Sequence, residues 1–247
     1  METFLTPARL IFSPQNLWVW VSCSLFLSVM INGLAWHLRG LAGDPKPQLI
    51  EWILSFLRQG ARFIYFICLP YAALLGGLIP ATRAGLVPQD WLRDLTLFLP
   101  LSLGATLLLL FLRAWILRQE RVDCGNPNSC SQLPSWTIQL RESIYMEIHW
   151  AFYRSAPLLV VKNRAQGIVL GLGIVAVESW LNPAWRVRWQ DPGMAISALR
   201  AAALAVLMAV VFGITGNLWV TIGVHVLVEI ASGWAWSRVG DRISEAE

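Results

Sequence analysis

The sequence predicts an all-α fold, a polytopic transmembrane helical bundle of about seven spans, and three observations predict it. Of 247 residues, 56% are hydrophobic and only 14% are charged, where an ordinary soluble domain carries about 25% charged residues. The apolar residues come in blocks long enough to cross hydrocarbon, and mean hydropathy is +0.56. Many tryptophans stand where those blocks end, at Trp18, Trp36, Trp52, Trp91, Trp115, Trp180, Trp234 and Trp236. An indole favours the headgroup boundary, with its ring in apolar surroundings and its N–H wet.

The first span covers 17–37, LWVWVSCSLFLSVMINGLAWH, with tryptophan near both ends. It is expected to be retained, because METFLTPARLIF has one arginine and no small-residue cleavage pattern. The second, 50–79, is long enough to kink at Pro70 or to begin as an interfacial helix carrying Arg58 and Arg62. The third covers 94–117 and completes an N-terminal region, 1–120. A polar loop, 121–140, follows and holds Cys124 and Cys130, a disulfide or half a metal site; no second pair or nearby histidine completes a zinc set. Cys23 and Cys68 read as packing residues. The C-terminal region, 141–247, carries four further spans at 141–161, 166–182, 193–213 and 217–237. The segment LNPAWRVRWQDP, Leu181 to Pro192, reads as an interfacial turn, with peptide binding as the lesser alternative.

With seven crossings, Arg39, Lys46, Arg113, Arg118, Arg121, Arg186, Arg188, Arg238 and Arg242 gather on one side. The other side holds Arg9, Arg83, Arg93, Lys162 and Arg164. The positive-inside rule places the richer set, and the C-terminus, in the cytoplasm of a plasma (inner) membrane protein. A net charge of +4 without a dense basic patch excludes a nucleic-acid surface; the partners are the bilayer and something within it.

Ionisable groups inside spans are costly unless paired or wetted. Glu147, His149, Arg154, Glu178, His225 and Glu229 all fall there, and all in the C-terminal half. His225 and Glu229 are four apart on the last span and share a face with Thr221 and Ser232. Such a step presents imidazole and carboxylate toward one point, as helix-borne metal sites require. Glu178 follows Gly171 and Gly173, which allow close helix approach. On the fourth span Glu147 and Arg154 lie nearly in line, while His149 is turned roughly 160° from Glu147. Glu147 is therefore assigned to Arg154 or to a lumen, and His149 to a different face.

Three stretches resemble the CPBP family of intramembrane proteins, which includes the type II CAAX prenyl endopeptidases and Abi proteins. They are HWAFYRS (His149 to Ser155), IVAVESWLN ending at Asn182, and GNLWVTIGVHVLVEIASG starting at Gly216. They resemble E-E-x-x-x-R, F-x-x-x-H and H-x-x-x-N motifs on successive helices. Arg154 and His225 keep the family's residues, whereas His149 stands for Glu, Glu178 for His and Glu229 for Asn. The resemblance implies an intramembrane metal-dependent endopeptidase acting on a membrane-associated peptide or prenylated protein. On that reading His149, His225 and Glu229 ligate zinc or another divalent metal, Glu178 takes a proton from water, and Arg154 orients substrate. Degeneration to a non-catalytic scaffold, immunity or assembly protein is the alternative; in an active protein, imidazole and carboxylate have exchanged places.

Overall fold

The computed structural model describes residues 17–40, 48–87, 90–120, 136–161 and 163–244. Regular structure among them is entirely helical: α1 (Leu17–Gly40), α2 (Gln48–Phe63), a π turn (Ile64–Cys68), α3 (Leu69–Leu75), α4 (Trp91–Glu120), α5 (Trp136–Val160), α6 (Arg164–Leu181), α7 (Pro183–Gln190), α8 (Pro192–Thr215) and α9 (Leu218–Ser244). Among the described residues, four stretches are long and apolar enough to cross a bilayer: Trp18–His37, Trp91–Leu112, Arg164–Leu181 and Met194–Thr215. Their outward faces are oily. On α4, Leu99, Leu103 and Phe111 are 71%, 62% and 69% exposed, an arrangement that lipid solvates and water does not. The cysteine-bearing loop at Cys124 and Cys130 lies outside the described residues.

The chain divides into two compact units that interleave in sequence. Unit I comprises the described chain up to Val87 and Ile148–Gln190; unit II comprises the described parts of Pro88–Glu147 and Asp191–Glu247. The boundary falls within α5, so the N-terminal and C-terminal halves of the sequence contribute to both units.

In unit I, α1 packs against α6, α7 and the π turn. The core gathers Val21, Ala73, Leu78, Ile79, Phe152, Tyr153 and Ala156. The break expected at Pro70 takes the form of the π turn just before it. Proline has no N–H for the carbonyl one turn back, and the ladder widens so that Leu69 N–H reaches Ile64 O. At the far end of α5 the Arg83 guanidinium donates to the Leu158 carbonyl, a cation closing a helix C-terminus.

α5 and α6 approach closely at Gly167 and Gly171, a small-xxx-small pair. A Cβ at Gly171 would stand 2.7 Å from Arg154 Cα, whereas one at Gly173 would meet nothing within 4 Å. The close approach foreseen at Gly171 and Gly173 thus belongs to Gly171 and Gly167. Gly171→Leu is expected to destabilise the protein by about 1–3 kcal/mol, an overpacking penalty. Gly173→Leu should be near neutral, and thermal unfolding in detergent checks both.

Unit II is built on mutual packing of α4, α8 and α9. The turn between α8 and α9 is set by two residues. Gly216 takes φ of 66°, which a side chain disfavours. Asn217 Oδ1 then accepts from the Trp219 and Val220 amides at 3.0 and 3.3 Å, capping α9. Its Nδ2 donates to Asp94 Oδ2 at 2.8 Å, tying the start of α9 to the first turn of α4.

Candidate functional site

A buried ionisable group is costly unless paired, so the partners of these residues define what each can do. In unit I the centre is Glu178. Its Oε1 accepts from Tyr65 OH at 2.6 Å and Ser28 Oγ at 3.0 Å, and its Oε2 faces His149 Nε2 at 3.2 Å. With Glu178 as a carboxylate, Nε2 carries the proton and Nδ1 the lone pair. A hydroxyl network backs the carboxylate: Tyr65 OH lies 3.1 Å from Tyr153 OH, which lies 2.9 Å from Ser24 Oγ.

The His149 side chain is 1% exposed and that of Glu178 is 14% exposed. The imidazole is walled by aromatic rings, with centroids of Tyr153 at 4.4 Å, Tyr65 at 4.6 Å and Phe66 at 5.1 Å. Its Nδ1 is buried and has no hydrogen-bond partner among the described residues. An unmet polar atom of this kind costs about 1–3 kcal/mol, a penalty that a bound group would remove.

Local structure explains how these groups reach one point. Ser24 and Ser28 lie one turn apart on α1, and Asn32, another turn on, donates to Ser28 Oγ at 3.2 Å. Tyr65 sits in the π turn, whose extra residue per turn alters the facing of its side chain. His149 and Tyr153 share a face of α5. Arg154 is also buried, at 2% exposure, where α5 meets Gly171 of α6.

Unit II holds two further pairs. His225 Nδ1 and Glu147 Oε1 are 2.9 Å apart, with side chains 5% and 0% exposed. Arg200 donates to Glu229 Oε2 at 2.6 Å and to Ser232 Oγ at 3.0 Å. Within unit I His149 meets Glu178; within unit II His225 meets Glu147 and Glu229 meets Arg200. Glu147, assigned on sequence to Arg154 or a lumen, has its carboxylate against His225. Sequence reasoning did not single out Ser24, Ser28, Tyr65 or Arg200 as partners.

Comparison with family models, curated proteins and solved structures finds no match to this chain.

The residues give a divided answer on zinc. Each imidazole has one nitrogen on a carboxylate, the arrangement that orients metal-bound histidines. A tetrahedral centre needs three or four protein donors, and among the described residues no group of three His, Cys, Asp or Glu is placed to hold an ion. Glu229 is moreover neutralised by a guanidinium. The arrangement in unit I can instead move a proton: an imidazole held in one tautomer by a fixed carboxylate is a general base.

Proposed function

We propose that the protein is an intramembrane hydrolase of the CPBP type, which cleaves a peptide bond in a membrane-associated or prenylated protein at the His149–Glu178 dyad. The observation that carries this reading is the 3.2 Å contact between His149 and Glu178. These are the two positions at which imidazole and carboxylate stand exchanged relative to the family motifs. A compensated exchange requires the two side chains to meet, and loss of function places no such demand.

In this reading Glu178 holds His149 with Nε2 protonated, and Nδ1 accepts a proton from water as the oxygen attacks the scissile carbonyl. The same nitrogen returns that proton to the departing amine. Tyr65 and Ser28 fix the carboxylate, so that the imidazole keeps its orientation through the cycle. The helices α2 with α3, α5 and α9 join the four apolar stretches as a seven-span bundle, with the C-terminus cytoplasmic.

The test is cleavage of membrane-anchored and farnesylated peptides by the purified full-length protein in nanodiscs, followed by mass spectrometry. His149→Ala is expected to reduce cleavage by about 10²–10⁴-fold, the usual contribution of a general base. Wild-type protein that cleaves nothing across the panel, or His149→Ala protein that cleaves equally well, overturns the proposal.

A second reading, a non-catalytic membrane scaffold, is favoured by a different observation. His149, His225 and Glu229 each hold an internal partner, as polar groups that bind helices together do. In that case His149→Gln changes stability and leaves no activity to lose.

A further inference from the structure

We infer that α7 is a binding site for the phosphate headgroups of anionic phospholipids. The inference rests on the placement of this segment and is independent of hydrolysis. In sequence α7 occupies the connection between two stretches able to cross a bilayer, Arg164–Leu181 and Met194–Thr215, so it lies where the chain turns at the membrane surface. It is PAWRVRWQ, a helix of eight residues.

At roughly 100° per residue the side chains sort cleanly around the axis. Trp185 and Trp189 fall within about 40° of each other, with ring centroids 6.2 Å apart at 74°. Arg186 and Arg188 fall on either side of that pair. Two indoles flanked by two cations match the boundary of a bilayer, where rings enter the glycerol region and guanidinium groups meet phosphate. Trp180, at the end of α6, and Trp189 are 66% and 42% exposed. Arg186 and Arg188 are both exposed, and among the described residues neither guanidinium has an ion pair or hydrogen bond.

Charge complementarity selects the occupant. A guanidinium offers a planar fork that fits phosphate oxygens two at a time. Two such forks beside apolar rings suit a headgroup attached to acyl chains better than a free anion, which has no use for the tryptophans. α7 packs against both α1 and α6, so lipid bound there would brace unit I.

The experiment is thermal unfolding of the full-length protein in neutral detergent, titrated with phosphatidylglycerol or with phosphatidylcholine. Phosphatidylglycerol is expected to stabilise wild type at lower concentration than phosphatidylcholine. Each arginine near an anionic surface contributes a factor of roughly five. Arg186→Gln with Arg188→Gln should therefore raise the half-effective phosphatidylglycerol concentration by roughly 30-fold and leave the phosphatidylcholine curve unchanged. If the double variant does not fold, Arg188→Gln alone, at an exposed position, should show the roughly fivefold shift. An unchanged phosphatidylglycerol response in the variants overturns the inference. So does equal stabilisation by inorganic phosphate, or stronger stabilisation by an acidic peptide, which would point to a protein partner.

Discussion

Glu178→Ala is expected to lower unfolding free energy by about 3–5 kcal/mol, comparable to breaking a buried ion pair. The carboxylate accepts from Tyr65 and Ser28 through one oxygen and meets His149 through the other. Truncation strips three polar groups of their partner at once, in surroundings where water is a poor substitute. Each stranded group costs about 1–3 kcal/mol, less when they relax toward one another. Glu178→Gln separates structure from chemistry. The amide carbonyl still accepts from Tyr65 and Ser28, so most stability remains, but the ion-dipole hold on the imidazole is gone. Chemical denaturation in mixed micelles reads the first quantity and peptide cleavage reads the second. Equal stability of wild type and Glu178→Ala would show that the network does not hold unit I together.

The second large effect is expected in unit II. His225→Leu removes the hydrogen bond to Glu147, a carboxylate with a fully buried side chain. Leaving half of a buried pair typically costs about 3–5 kcal/mol, whereas replacing both halves with apolar residues is often neutral. Glu147→Leu with His225→Leu should therefore recover most of the stability lost in His225→Leu alone, and a double-mutant cycle gives the coupling directly. Activity decides what stability cannot. If the double variant is stable and still cleaves peptide, His225 serves to join helices; if it is stable and inactive, His225 contributes to the chemistry.

The helices were legible because their apolar runs are long, and hydrocarbon thickness fixes how long a run must be. The apolar cores of α1, α4, α6 and α8 are of this kind, and the break near Pro70 was also readable. Partners within the site were less so. His149 and Glu178 were assigned to one site through motif register. Ser28 and Tyr65 were not, since contacts 150 and 113 residues away in sequence leave no local trace. A signal did exist in Ser24, Ser28 and Asn32, a polar stripe at four-residue intervals in an otherwise oily helix. Glu147 is assigned on sequence to Arg154 or a lumen because it lies along one side of α5 with that arginine, and its contact with His225, on another helix 78 residues on, left no sign there. Periodicity tells which side chains share a face; it does not tell which helix stands opposite.

The turn at Gly216 and Asn217 bears on how similarity among such proteins should be weighed. Gly216 and Asn217 of Gly-Asn-Leu-Trp have an explanation in geometry: a left-handed residue, then an amide that closes one helix and fastens it to Asp94. A search keyed to this quartet would collect chains that reverse direction in the same manner, whatever they catalyse. The contact between residues 149 and 178 is of another kind, since no turn geometry demands it.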